Sequence, residues 1–240
     1  MIHKDKRADY LFIGIAAALV GYGILVLSSA SAVLSQDKFG TPYGFLQRQL
    51  VSLAVGVVVF FIVQRIPYGT WKRFAPLFLI LSVVLLMLVF VPQVGLSYLG
   101  ARRWIELGWG VWRISFQPSE LVKLTFILYL AAWLEAKRED VRRVSQGVVP
   151  FVIVLGVLAT LLLLQPDLGT LVIVAAVGVS MYAVSGARLR HLGAILAAGG
   201  LVFFAAVRLA PYRMARLLAF LNPGADPQGI GYHISQSLIA

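Results

Sequence analysis

The 240-residue chain contains no cysteine, which excludes a disulfide framework, a thiol nucleophile and any cysteine metal site. It has only three histidines, scattered along its length, and ten acidic residues, so a zinc site or a carboxylate-lined ion cage finds few donors. Charged residues make up 13% of the chain while apolar ones reach 60%. That is too much apolar surface for one soluble core, and it is gathered into runs long enough to cross a bilayer. The net charge of +11 does not point to nucleic acid, because the cations cluster in short links between apolar runs.

The pattern predicts an all-α fold, a polytopic transmembrane helix bundle forming one integral membrane domain over residues 1–240. Seven spans are expected near Tyr10–Leu34, Leu50–Ile66, Phe74–Pro92, Leu121–Leu134, Gly147–Gln165, Leu168–Val184 and Leu192–Ala210, followed by an incomplete outer loop over 211–240. Lys4, Lys6 and Arg7 precede the first span, but its apolar stretch is too long for a cleaved leader and six more follow, so it reads as a retained helix. Alternating spans put these three cations on one side together with Arg65, Lys72, Arg73, Lys137, Arg138, Arg142, Arg143, Arg188 and Arg190. By the positive-inside bias that side is the cytoplasm, and the N-terminus lies there.

Lys38, Arg48, Arg102, Arg103, Arg113, Arg208, Arg213 and Arg216 fall on the other side, against the bias. For Lys38, Arg48 and Arg113, interfacial snorkelling is the simpler reading. Arg102 and Arg103 differ, because two adjacent guanidiniums beside Trp104 and after Gly100 suit a phosphate or pyrophosphate, which accepts paired hydrogen bonds from the planar fork. Arg213 and Arg216 share a face at helical spacing and form a second such pair.

Lys123 lies one turn inside an apolar run, where an isolated charge costs roughly 2.5–3.5 kcal/mol. Glu120 precedes it by three residues and shares its helical face, so the two are expected to pair and to mark a cavity or substrate path. Glu120 also follows Pro118, which suits a helix start with an acid in its first turn. Gln165-Pro166-Asp167 repeats the layout of Gln117-Pro118-Ser119-Glu120. Asp167 can either cap the sixth span or line the same cavity as Glu120 and Lys123.

Several motifs occur in one order along the chain. They are Gly-Ala-Arg-Arg-Trp-Ile at 100–105, Phe-Gln-Pro-Ser-Glu-Leu-Val-Lys at 116–123 and Leu-Gln-Pro-Asp-Leu-Gly-Thr at 164–170. Pro-Tyr-Arg-Met-Ala-Arg-Leu follows at 211–217, then Phe-Leu-Asn-Pro at 220–223 and Asp-Pro-Gln-Gly-Ile-Gly-Tyr-His-Ile-Ser-Gln-Ser-Leu-Ile-Ala at 226–240. Together they resemble the SEDS family of shape, elongation, division and sporulation proteins. Ser28-Ser29-Ala30-Ser31-Ala32-Val33, the double arginine before Trp104 and Leu218–Pro223 resemble its division branch more than its elongation branch.

The resemblance implies a peptidoglycan glycosyltransferase that polymerises lipid II at the outer face of the bacterial cytoplasmic membrane. Its leaving group is a lipid pyrophosphate and its nucleophile a sugar hydroxyl, so cations and a proton-accepting carboxylate are the minimum needs. Arg102, Arg103, Glu120, Lys123, Asp167, Arg213 and Arg216 are the implied substrate-side residues. The implied catalytic aspartate lies beyond Ala240, and ten spans are expected against seven here. The 240-residue chain alone is therefore expected not to polymerise lipid II. The implied partners are a class B penicillin-binding protein transpeptidase and other division or elongation machinery, with the membrane as surroundings and no nucleic acid. No cofactor is implied; a divalent cation beside the pyrophosphate is compatible with the chemistry, though no carboxylate cluster argues for a dedicated site. A lipid II flippase and a division-machinery scaffold are the alternative readings.

Overall fold

The computed structural model describes residues 9–92, 94–98, 101–107, 114–211 and 213–215. These form two compact units, one built from the chain up to Trp71 with Ile105–Phe116, the other from Lys72–Trp104 with the chain from Gln117.

In the first unit α1 (Tyr10–Ala30) begins where Asp9 accepts a hydrogen bond from the Phe12 amide at 3.0 Å, a side-chain N-cap. The first span is expected to run to Leu34, but α1 ends at Ser31 and a separate short helix, α2 (Ala32–Phe39), takes the chain onward. Ser31 Oγ turns back to the Leu27 carbonyl at 2.6 Å, the local competition that bends helices at serine. The next helix, α3 (Gly44–Val63), starts six residues before the expected Leu50. Ser35 sets that start, because its buried hydroxyl donates to the Thr41 carbonyl at 2.7 Å and accepts from the Gly44 amide at 2.9 Å. Arg48 thus lies inside α3, with its guanidinium 4.7 Å from the Phe39 ring centre.

The second unit carries most of the core. Its helices are α4 (Tyr68–Leu88, whose first turn belongs to the first unit), α5 (Pro118–Ala136), α6 (Val149–Leu164), α7 (Leu168–Val184) and α8 (Leu189–Arg208). A π-helical turn, Val144–Val148, leads into α6. Among the described residues seven long helices therefore stand where seven spans are expected. Five of them, α1, α3, α4, α6 with its π-helical lead-in and α8, are long and apolar enough to cross a membrane, and α7 is a shorter apolar helix. α5 contains Glu120, Lys123 and Glu135. Of the outer loop expected over 211–240, residues 211 and 213–215 are described and are helical, while the stretch from Arg216 to Ala240 lies outside the described residues.

Lipid tails are as apolar as leucine, so these helices associate through close packing and hydrogen bonds rather than through escape from water. Phe126 and Leu130 of α5, Phe151, Leu158 and Leu162 of α6, and Val174 and Tyr182 of α7 form the buried centre. Gly178 of α7 makes this possible, since a Cβ there would meet the Phe126 ring at 3.0 Å. Tyr182 stacks on Phe151 with ring centres 4.6 Å apart, and its hydroxyl donates to the Val141 carbonyl at 2.8 Å. A buried Ser82–Thr125 hydroxyl pair at 2.7 Å ties α4 to α5.

The segment before α5, expected to be an irregular loop, contains strands β1 (Gly95–Tyr98), β2 (Ala101–Leu107) and β3 (Ile114–Phe116), in sheet order β1-β2-β3. β2 and β3 are antiparallel, with Ile105 opposite Phe116 and Glu106 opposite Ser115. Hydrophobic periodicity misses them because Arg102, Arg103 and Glu106 interrupt the apolar alternation.

Candidate functional site

One end of the second unit gathers the two Gln-Pro segments, which open α5 and α7, and the last turn of α6. Pro118 stands at the first position of α5, where its missing N–H costs no helical hydrogen bond. Gln117 is extended and its amide donates to Ser119 Oγ at 2.9 Å. Asp167 is the N-cap of α7, only 6% exposed. Its Oδ1 accepts from the Thr170 amide at 3.3 Å, and its Oδ2 accepts from the Thr170 hydroxyl at 2.8 Å and the Ser119 hydroxyl at 3.3 Å. Gln117 Nε2 completes the set at 3.5 Å. Of the two readings open for Asp167, the structure makes it a cap, and one that also binds the start of α5 to the start of α7. The carboxylate sits at the positive end of α7 among hydroxyl and amide donors, so its burial is compensated.

The end of α6 explains two of the outer arginines. A helix leaves its last four carbonyls without intrahelical partners, and near a bilayer each needs a donor. Leu161 O accepts from the Gln165 amide at 3.1 Å and Leu162 O from the Asp167 amide at 2.9 Å. Leu163 O accepts from Arg213 Nη2 at 3.0 Å, while Arg213 Nη1 donates to Ala206 O in the last turn of α8 at 2.9 Å. Arg103 Nε donates to Gln165 O at 3.0 Å, and its Nη2 donates to Pro166 O. Guanidinium forks thus cap a helix end whose partial charge is negative. Arg213 has both terminal nitrogens on carbonyls, and Arg103 keeps Nη1 without a partner among the described residues. Arg102 is exposed. Arg216, Arg113 and Gly100 lie outside the described residues.

Lys123 Nζ and Glu120 Oε2 are 2.8 Å apart, as their spacing on one helical face predicts. The pair is open rather than enclosed, with Glu120 57% and Lys123 27% exposed. It stands one turn along α5 from Ser119, so the Asp167 cap fixes the helix start from which both side chains project. Composition and spacing give no reason to single out Gln165. Its side chain is buried, with Nε2 donating to Leu86 O of α4 at 2.6 Å and Oε1 left without a partner among the described residues. The duplicated Gln-Pro is its only signal.

This end thus carries an ammonium paired with a carboxylate over a buried polar scaffold, and the exposed Arg102 lies next to Arg103 in β2. Among the described residues no three histidine, aspartate or glutamate side chains come together as a metal would need.

The family model described as cell cycle protein, FtsW/RodA/SpoVE, matches residues 9–240. The chain is 39% identical to the probable peptidoglycan glycosyltransferase FtsW of Nitrosococcus halophilus, over 99% of this chain and 60% of that protein. It is 36% identical to stage V sporulation protein E of Bacillus subtilis, over 100% of this chain and 64% of that one. Among solved structures it is similar to a chain of a peptidoglycan synthase complex that coordinates polymerization and crosslinking, with a TM-score of 0.73 and 34% identity, covering 98% of this chain and 66% of that chain. It is also similar to the rod shape determining protein RodA of Thermus thermophilus, with a TM-score of 0.64 and 32% identity, over 82% and 60% of the two chains. The chain spans about 60% of the length of the curated FtsW relatives it matches. With its apolar helices, its paired Gln-Pro helix starts and a match that runs from residue 9 to residue 240, this multi-pass membrane protein belongs to the FtsW/RodA/SpoVE family of cell cycle proteins.

Proposed function

We propose that the complete protein is a peptidoglycan glycosyltransferase that polymerises lipid II at the outer face of the bacterial cytoplasmic membrane during cell division, with the N-terminus of this chain in the cytoplasm. The observation that carries this reading is the similarity, at 35–39% identity over at least 93% of the chain, to proteins named probable peptidoglycan glycosyltransferase FtsW. The geometry is compatible with it. In the reaction the anomeric C–O bond to the pyrophosphate breaks, a sugar hydroxyl forms the new bond, and its proton passes to a base, which this reading places beyond Ala240. Arg102 and Lys123 supply cations for the departing pyrophosphate, and Glu120 aims the Lys123 ammonium. Asp167 holds the start of α5, on which Lys123 stands, and Arg103 and Arg213 secure the end of α6 beside it, with Arg103 Nη1 left to reach the anion. Arg216 is a further candidate contact from the segment after α8. A class B penicillin-binding protein is the proposed partner, supported by the likeness to a chain of a peptidoglycan synthase complex.

The test is polymerisation of labelled lipid II by the purified full-length protein. Lys123→Met is expected to lower the rate at least about a hundredfold, the scale of losing one charge-stabilising group, while the protein still elutes as a folded species. Near-normal glycan synthesis by that variant would overturn the assignment.

A further inference from the structure

The opposite end of the second unit holds a cationic corner that the proposed reaction does not use. There the link between α5 and α6 meets the link between α7 and α8. Arg142 Nε donates to the Gly186 carbonyl at 3.1 Å, and Gly186 adopts φ +92, which a side chain would strain. Arg188, the N-cap of α8, and Arg190, in its first turn, follow and are exposed, as Arg142 is. Of the acids nearby, Asp140 pairs with Arg143 at 3.1 Å and Glu135 with Lys72 at 2.8 Å, while Glu139 is exposed on the link before Arg142. Among the described residues no carboxylate pairs with Arg142, Arg188 or Arg190. Val184 and Leu189, which flank the turn, are 89% and 84% exposed.

Retention of a loop on one side of the membrane needs positive charge, and lysine supplies it as well as arginine. It does not account for three arginines, one of them anchored across from a neighbouring link, beside two bare apolar side chains. Guanidinium is weakly hydrated and matches the oxygens of a phosphate in pairs. Val184 ends one membrane helix and Leu189 begins the next, so the corner lies at the bilayer border, where apolar side chains meet acyl chains and cations meet headgroups. An acidic peptide would satisfy the charges and leave Val184 and Leu189 in water.

We propose that Arg142, Arg188 and Arg190, with Val184 and Leu189, form a binding site for the phosphate headgroup of an anionic glycerophospholipid. Lipid retained by the 240-residue chain is measured by native mass spectrometry after release from detergent containing equal phosphatidylglycerol and phosphatidylcholine. The wild-type chain is expected to keep phosphatidylglycerol in preference, and Arg142→Gln/Arg188→Gln/Arg190→Gln to lose at least about tenfold of that retention, the order that several basic residues near a charged leaflet supply. Lys137→Gln/Arg138→Gln, which removes charge at the same end, is expected to keep it. If the triple variant does not elute folded, Arg188→Gln/Arg190→Gln replaces it. Equal retention of the two lipids by the wild type, undiminished retention by the arginine variant, equal loss in the control variant, or displacement of the lipid by an equimolar polyglutamate peptide would each overturn the site.

Discussion

Replacing Asp167 by alanine isolates what the cap contributes. The substitution removes the N-cap of α7, which is worth about 1 kcal/mol in typical helices. It also takes the acceptor from the buried hydroxyls of Ser119 and Thr170, whose hydrogen bonds are 3.3 and 2.8 Å long. Side-chain hydrogen bonds inside membrane proteins average about 0.6 kcal/mol each. The sum is about 2 kcal/mol, and it rises toward 3 kcal/mol if either hydroxyl stays buried without a partner. At about 2–4 °C per kcal/mol for chains of this size, the thermal midpoint in detergent is expected to fall by roughly 4–12 °C, read as loss of the monodisperse peak after heating. Asp167→Asn is a sharper control. Asparagine caps well and the hydroxyls can turn to accept from its amide, but Gln117 Nε2 can only donate, so about 1 kcal/mol is lost. Hydrogen exchange should also quicken at the amides of Ser119 to Lys123 in the alanine variant, because the cap secures the start of α5. A midpoint unchanged by alanine, or an asparagine variant as damaged as the alanine one, would refute the linkage between the two helix starts.

Two further substitutions probe the scaffold. Arg103→Lys exchanges a fork that reaches two carbonyls for a single ammonium, and is expected to cost about 1–2 kcal/mol in thermal stability, whereas the exposed Arg102→Lys stays within about 0.5 kcal/mol; equal midpoints for the two variants would remove the capping role of Arg103. Gly178→Leu drives a side chain into the Phe126 ring, which already lies 3.0 Å from the Cβ position, and is expected to destabilise by about 1–3 kcal/mol in the same heating assay. A wild-type midpoint for Gly178→Leu would mean that α5 and α7 are not in the close contact described.

The helices are legible in the chain because a membrane span is a local property: about 20 apolar residues in a row are enough to place one. α6 and α7 fall within a few residues of expectation for that reason, and the Glu120–Lys123 pair follows from spacing on one helical face. The errors lie where polar groups choose among local partners. Ser31 and Ser35 divide the first span and move the start of α3, through hydrogen bonds to Leu27, Thr41 and Gly44 that no hydropathy window registers. β2 escapes notice because its charged residues break the apolar alternation, and strand pairing supplies the order instead.

Family membership, the helical class and the concentration of arginine around 102–103 and 213–216 are determined by the sequence itself, through composition and through motifs whose order is specific. What those arginines bind is not determined there. Arg103 is 62 residues from Gln165, and Arg213 is 50 residues from Leu163. Only the folded chain brings each guanidinium to the carbonyls at the end of α6, which have no intrahelical donor. The same holds for Asp167: its position before a helix allows a cap, and only the folded chain brings Ser119 and Gln117, 48 and 50 residues away, to the same carboxylate. Helix existence is set by neighbours in sequence, while the partner of a polar side chain is set by neighbours in space.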